Sequence, residues 1–221
     1  MRVTQQDRLL PGDIPIFPLR SAILLPRAIL PLNIFEPRYL AMTEAALGNG
    51  RLIGMVRPRH EDDVNPTLYD VGCAGRITSF TETGDGRFLL TLTGVSRFRI
   101  VNEGLTDGGF RLAEVDWSGF TADVHLEPEE NEHLRDRVIE LLMRYLDNVG
   151  LKADWDSIEG ASAETIINSV SMSCPFEPDE KQAILETMTI EQRGETLIAL
   201  MEMAIATKGT ELDEDGSERL Q

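Results

Sequence analysis

Short apolar runs separated by proline and glycine dominate the first 120 residues. Two runs, Ile14–Leu19 and Ile29–Ile34, flank a third at Ile23–Leu25. Prolines occur within and between these runs. Proline cannot donate a hydrogen bond to a neighbouring strand, so each one marks a strand start, an edge or a bulge. Five further runs have strand character: Leu52–Val56, Tyr69–Phe80, Arg87–Gly94, Val95–Val101 and Phe110–Trp117. Glycines recur at the bends between them, which favours a small, strongly curved sheet or barrel.

Two local patterns refine this β-rich half. The sequence Thr83–Gly86 (TGDG) predicts a hairpin turn, because Asp-Gly pairs readily take positive φ. Arg97 and Arg99 alternate with Phe98 and Ile100 along one run. We interpret this alternation as a strand with a solvated arginine face, with an anion site as the alternative.

One early helix is predicted from Pro37 to Gly48. Proline suits the first helical position, since its missing N–H would be unpaired there anyway. Apolar residues then recur as far as Leu47, and Gly48 is the expected left-handed cap.

From Glu127 the apolar period becomes helical. Pro128 followed by acidic residues predicts a helix start, and one apolar stripe follows at helical spacing: Leu134, Val138, Leu141, Leu142, Tyr145 and Leu146. Further helices are predicted over Ala161–Met172, from Pro178, and from Thr189. Such stripes are typical of a packed core, so this half should be a helical bundle.

The charge divides the chain at about the same place. Residues 1–120 hold 14 acidic side chains and 13 arginines, whereas residues 121–221 hold 24 acidic and 8 basic side chains. We therefore predict a β-barrel domain over 12–120, a helical domain over 121–208 and a disordered acidic tail over 209–221. A net charge of −17 repels phosphate backbones and anionic lipids.

Candidate chemistry is sparse. No apolar run approaches the ~20 residues of a membrane span, and the amino terminus has no export segment, so a cytoplasmic protein is expected. Cys73 and Cys174 are predicted to be buried free thiols. His60 adjoins an acidic stretch, but the spacing fits no metal template, so no metal ion or cofactor is predicted.

Three groups of motifs resemble those of the Lon protease N-terminal, substrate-binding domain. The most specific is the run from Pro15 to Tyr39, which contains PIFPL, LP and PLNIFEPRY. Gly75–Ile77 and Gly94–Phe98 resemble the strands that follow in that family, and Pro175–Glu186 with Arg193 resembles its closing helices. The resemblance covers about residues 12–206. It implies an α+β fold, in which a PUA-like curved β-barrel with one helix precedes an α-helical bundle.

The resemblance implies recognition of polypeptide without catalysis. The sequence contains no G-x-x-x-x-G-K-[ST] phosphate loop, and none of its three lysines lies in a segment that resembles a Ser–Lys protease dyad. We therefore expect a stand-alone, non-enzymatic module that binds unfolded or flexible polypeptide segments and could hand them to a separate protease. A hydrolase would instead turn over peptides with ATP. The second alternative is an RNA-binding PUA-like module, which the net charge argues against.

The expected binding region surrounds the end of the proline-rich run. We predict partner contacts from Leu32, Phe35, Glu36, Arg38 and Tyr39. Glu36 and Arg38 could instead have a local task, with Glu36 capping the helix and Arg38 pairing with an acidic neighbour, and this is the interpretation we favour. A groove between barrel and bundle, or an exposed strand edge interrupted by Pro18, Pro26 and Pro31, could receive the polypeptide.

Overall fold

The computed structural model describes residues 10–60, 66–125 and 130–218. The chain divides into two compact units, Met1–Glu127 and Pro128–Gln221. The first unit is a sheet with one long helix, and in the second every described secondary-structure element is a helix. The division lies where the sequence indicated the change from strand to helical periodicity, at Glu127.

In the part of the first unit that the structure describes, six strands surround one long helix, α1, in sequence. The strands are β1 (Asp13–Pro18), β2 (Ile29–Ile34), β3 (Leu52–Val56), β4 (Val71–Glu82), β5 (Phe88–Leu105) and β6 (Arg111–Asp116), and α1 spans Pro37–Gly48. A 3-10 turn and the short helix α2 (Ala122–His125) follow β6.

The sheet closes on itself through the long strand β5. The strands run in the order β2-β5-β4-β3-β1-β6, and β6 also pairs with β5, so five strands form a ring. All pairings are antiparallel except β1 with β3. Along one edge of β5, the first part pairs with β2 and the last part with β6. Strand β2 therefore lies outside the ring.

The interior of the ring is filled by side chains from every wall. Phe98, which is fully buried, lies among aliphatic residues of β1, β3, β4 and β6. Arg111, Ala113 and Val115 of β6 are buried while Leu112, Glu114 and Asp116 are exposed, as expected for a strand with one face toward the interior.

Several details differ from the predictions. The two strands predicted on either side of Gly94 and Val95 are the single strand β5, which continues past a register shift opposite Ala74 and Gly75. Ile23–Leu25 is buried but belongs to no strand. Gly48 lies inside α1 rather than capping it, and the left-handed residues are Gly50 and Arg51, with φ of 73° and 60°.

The described residues of the second unit form five helices: α3 (Glu132–Val149), α4 (Trp155–Glu159), α5 (Ala163–Ser173), α6 (Pro178–Glu186) and α7 (Ile190–Glu218). The whole predicted stripe on α3 is buried. The predicted start at Pro128 lies outside the described residues, and Asn131 caps α3 by accepting a hydrogen bond from the Leu134 N–H. Gly150 ends it in a left-handed conformation. Helix α7 continues to Glu218, so most of the predicted disordered tail is helical.

Candidate functional site

The first unit contains a groove of about 740 Å³. One wall is the segment at the end of β1, from Phe17 to Arg20, and the next is the corner from Leu32 to Tyr39, where β2 leads into α1. The turn between β5 and β6 supplies Leu105 and Gly109–Arg111. We call this cavity the rim groove.

All five residues predicted to contact a partner line the rim groove. Leu32 is half-buried on β2, and Phe35 projects from the corner with 62% of its surface exposed. Glu36 and Arg38 lie at the mouth, and Tyr39 lies on the floor with 8% exposure. These five residues could be predicted as a group because they lie close together in the sequence, around one tight corner. Pro37 begins the helix that follows this corner.

The floor of the groove is a small aromatic stack. The ring centroids of Phe17 and Tyr39 are 4.3 Å apart, and the Arg38 guanidinium lies 4.5 Å from the Tyr39 centroid. Burial, opposed by the charge of Arg38, raises the pKa of Tyr39 above its ordinary value. The phenol therefore stays neutral across the physiological range, and the floor is aromatic and uncharged.

Glu36 and Arg38 neutralise each other at the mouth. An Arg38 guanidinium nitrogen lies 2.9 Å from Glu36 Oε2, and both side chains are nearly half-exposed. Glu36 occupies the position before α1, but its side chain makes no capping hydrogen bond. The predicted pairing of Arg38 is therefore confirmed, with Glu36 as its partner, whereas the predicted capping by Glu36 is wrong because the carboxylate is engaged with Arg38.

The part of the groove lining that comes from the turn between β5 and β6 was not predicted from the sequence. Leu105, at the end of β5, is 71% exposed, and Phe110 is half-buried beside it. Arg111 is buried and donates to Glu103 Oε1 over 3.1 Å. The sequence Asp107-Gly108-Gly109 indicates a turn. It does not indicate that the hairpin formed by this turn brings Leu105 and Phe110 into the same groove as the corner after β2.

Arg97 is not part of a solvated face. Its side chain is 2% exposed, and its Nε and terminal nitrogen each lie 2.8 Å from an oxygen of the buried Asp123 carboxylate. The Arg97 backbone N–H also donates to Asp123. The prediction for Arg97 is wrong because its partner lies 26 residues away on α2, whereas the exposure predicted for Arg99 is confirmed.

Of the remaining candidate groups, His60 lines the rim groove and the two cysteines do not. Both cysteines are buried and free, as predicted. Among the described residues, no cluster of three or more histidine, cysteine or acidic side chains could hold a metal ion. His60 is exposed, and the acidic residues that follow it lie outside the described residues. No described helix is both long and apolar enough to cross a bilayer.

One known protein family matches most of this chain. The family model of the ATP-dependent protease La (LON) substrate-binding domain matches residues 13–203. The chain belongs to the Lon substrate-binding domain family. This confirms the resemblance drawn from the run that ends at Tyr39.

Curated relatives are much longer than this chain. A Lon protease 2 of Myxococcus xanthus is 28% identical over 200 residues, which make up 87% of this chain and 24% of that protein. A Lon protease of Flavobacterium johnsoniae is 26% identical over 217 residues, or 93% of this chain and 26% of that protein. The chain thus spans about a quarter of the length of these Lon proteases.

Solved Lon domains share the fold. A Lon N-terminal domain protein from Xanthomonas campestris aligns over 85% of this chain and 97% of its own, with 26% identity and a TM-score of 0.58. The N-terminal domain of a Mycobacterium avium complex Lon protease aligns over 86% and 98%, with 18% identity and a TM-score of 0.61, which is a likeness of fold alone. These matches confirm the predicted α+β class.

Proposed function

We propose that this protein recognises unfolded or flexible polypeptide segments in the cytoplasm and has no catalytic activity of its own. In this proposal the rim groove is the contact surface, and the bound segment is passed to a separate ATP-dependent protease of the Lon type. The membership of the Lon substrate-binding domain family is the observation that carries the proposal.

The chemistry of the rim groove supports this assignment. Two exposed apolar side chains, Phe35 and Leu105, lie on facing walls above an aromatic floor. Apolar side chains that water surrounds in the free protein gain free energy when a partner covers them. The charges at the mouth are paired, so a neutral segment meets no isolated charge from Glu36 or Arg38.

A non-catalytic role agrees with the same surface. The groove residues are mostly aliphatic, aromatic or arginine, and the printed sequence has no phosphate loop. We expect no peptide turnover by the purified chain, with or without ATP. Release of fluorescence from a quenched peptide, measured with a Lon protease as positive control, tests this directly. Turnover that co-purifies with the chain through successive columns would contradict it.

RNA binding is the weaker alternative. Several arginines of the first unit already contact carboxylates, among them Arg38, Arg59 and Arg87. Phosphate contacts would have to replace these pairs on a chain of net charge −17. A labelled RNA should show no binding even at low salt, and a salt-dependent shift would revive this alternative.

Binding of an unfolded chain tests the proposal. The probe is a fluorescent, reduced and carboxymethylated reference protein, whose affinity is measured by anisotropy. We expect Phe35→Ala and Leu105→Ala each to weaken binding by about tenfold, which corresponds to ~1.4 kcal/mol. Because both side chains are exposed, their loss should change the stability of the fold little.

Met203→Ala is the matched control. Met203 is an apolar side chain with the same exposure as Phe35, 62%, but it lies on α7 and does not line the groove. Its variant should bind like the wild type. Equal losses in all three variants would show that general hydrophobicity, not the rim groove, drives binding. No binding by the wild-type chain would overturn the proposal itself.

A further inference from the structure

Strand β2 presents an unoccupied edge beside the rim groove. One side of β2 pairs with β5 from Ile29 opposite Thr93 to Ile34 opposite Phe88. Across the described residues, β2 has no strand on its other side. An exposed strand edge is a row of unpaired backbone donors and acceptors, which a further strand can satisfy.

The register identifies which backbone groups face outward. Just before β2, the Gly94 N–H donates to the Ala28 carbonyl over 2.8 Å, while Arg27, at φ 64°, donates to the Gly94 carbonyl. The bond from the Gly94 N–H shows that the Ala28 carbonyl faces β5, and the positions that face a partner strand alternate along an antiparallel ladder. Leu30, Leu32 and Ile34 therefore bond to β5. The backbone groups of Ile29, Pro31 and Asn33 point away from it.

The position of Pro31 agrees with this assignment. A proline has no N–H to lose, so it is accepted in a sheet where the missing donor would face solvent. Pro31 also reduces the number of hydrogen-bond donors at this edge, because only Ile29 and Asn33 keep an outward N–H. Three outward carbonyls remain, on Ile29, Pro31 and Asn33.

The side chains of β2 connect this edge to the groove. Those of Leu32 and Ile34 line the rim groove, whereas Ile29 and Pro31 lie on the opposite, exposed face of the strand. A strand added to β2 would place every second side chain on the groove side, next to Leu32. Recognition would then combine backbone hydrogen bonds with one alternating set of apolar side chains.

Charge selects among the possible occupants. A second copy of this chain would bring together two molecules of net charge −17, which repel each other. Among the six residues of β2 there is no charged side chain, so the edge itself is neutral. A neutral or basic extended segment fits both the edge and the overall charge.

We propose that β2 binds its polypeptide by strand addition, and that the preferred segments are extended, uncharged or basic, and apolar at alternate residues. This inference rests on the proposed function and specifies how the segment is held. If the segment binds in this way, its affinity depends on the backbone N–H groups of every second residue of the bound segment.

Backbone methylation of a peptide tests the periodicity on the wild-type chain. The probe is a twelve-residue peptide of alternating valine and threonine with one lysine at each end, labelled for anisotropy. Single N-methyl groups are placed in turn along it. We expect losses of about tenfold at alternate residues and less than twofold at those between. Uniform losses, or none, in a peptide that binds would overturn strand addition while leaving groove recognition in place. Failure of the unmethylated peptide and of the unfolded reference protein alike would overturn both proposals.

A pair of protein variants tests the same edge from the other side. Asn33→Pro removes an outward N–H without removing a bond to β5, and Asn33→Ala keeps that N–H while shortening the side chain. Because Asn33 lines the rim groove, Asn33→Ala measures the effect of losing the side chain alone, and we expect Asn33→Pro to bind the peptide about tenfold more weakly than Asn33→Ala. Equal affinities would contradict the proposal if circular dichroism shows both variants folded, and if Asn33→Pro does not fold the methylation series decides. A change of oligomeric state on sedimentation, without a change in peptide affinity, would assign the edge to a second copy instead.

Discussion

Arg38 and Arg97 carry the same charge in opposite environments. Arg38 pairs with Glu36 at the mouth of the rim groove, where water screens both groups. Arg97 and Asp123 are removed from water almost completely, and each compensates the other through two side-chain contacts of 2.8 Å. The first pair is therefore available to respond to a ligand, whereas the second fixes α2 to the middle of β5.

Replacing Asp123 should be strongly destabilising. In Asp123→Ala the Arg97 guanidinium stays buried without its carboxylate, a situation that typically costs about 3–5 kcal/mol of the free energy of unfolding. Urea denaturation measures the change. Asp70→Ala removes the exposed partner of Arg59 and should cost less than about 1 kcal/mol. Similar values for the two variants would show that Arg97 finds water or another partner in the folded state.

Cys174 should make stability fall at alkaline pH. Burial raises the pKa of its thiol to about 11, against an ordinary value near 9.0. The folded state then holds the proton more tightly than the unfolded state between these two values. The free energy of unfolding should decrease as pH rises through this range, by about 1 kcal/mol at pH 10 from this thiol alone.

The variant Cys174→Ala isolates this contribution. Urea denaturation at pH 8 and pH 10 gives the loss of stability for each protein, and the variant should lose less than the wild type. Burial, together with the nearby Cys174 and Glu180, raises the pKa of Tyr145 to about 12, so Tyr145 adds to the fall in the same direction. Because Cys174 is one of the groups that raise this pKa, the difference between the two proteins includes both the thiol and its effect on Tyr145. An equal fall in the two proteins would contradict the assignment to Cys174.

Among the elements, β5 depends most on a single glycine. At Gly94 the chain passes so close to the Leu25 carbonyl that a side-chain carbon would overlap it. This contact lies where β5 changes its neighbours, between the part that pairs with β2 and the part that pairs with β6. A residue with a side chain at this position would push the segment that leads into β2 away from β5.

Gly94→Ala should therefore destabilise the first unit by about 2 kcal/mol or more, as overpacking against backbone does. Gly104→Ala, on the same strand, meets nothing within 4 Å and should change stability by less than about 1 kcal/mol. Thermal or urea unfolding of the two variants provides the comparison. A mild effect at Gly94 would mean that the Leu25 segment can move away without cost.

The elements also differ in how far the sequence predicts them. Helix α1 and the stripe of α3 were predictable, since proline at a helix start and a 3.6-residue period are local signals. The continuity of β5 was not, because its pairing with three strands depends on distant segments. For the same reason the corner from Leu32 to Tyr39 was predicted as a candidate site, while Leu105 on the facing wall was not. Residues that meet only through the closure of the sheet leave no pattern in the local sequence.

At the scale of the whole molecule, charge is distributed unequally between the two units. The acidic excess falls almost entirely after residue 120, and two of the basic residues there, Lys181 and Arg193, are buried. The described surface of the helical unit is therefore even more acidic than its composition indicates. A field of this kind acts over about 10 Å at 0.1 M salt, so it influences which polypeptides approach and how fast.

Binding should accordingly depend on the charge of the polypeptide. Three labelled peptides with the same alternating valine and threonine centre, and flanks of net charge +4, 0 and −4, separate charge from apolar contact. At 50 mM salt we expect affinity to fall in that order, because the basic flanks are attracted by a chain of net charge −17. At 0.5 M salt the three affinities should converge, since screening leaves only the short-range contacts. The neutral peptide is the internal control and should change little with salt. If the order of affinities persists at high salt, the flanks make specific contacts. If the acidic peptide binds best, the arginines that line the rim groove, rather than the acidic unit, determine the charge preference.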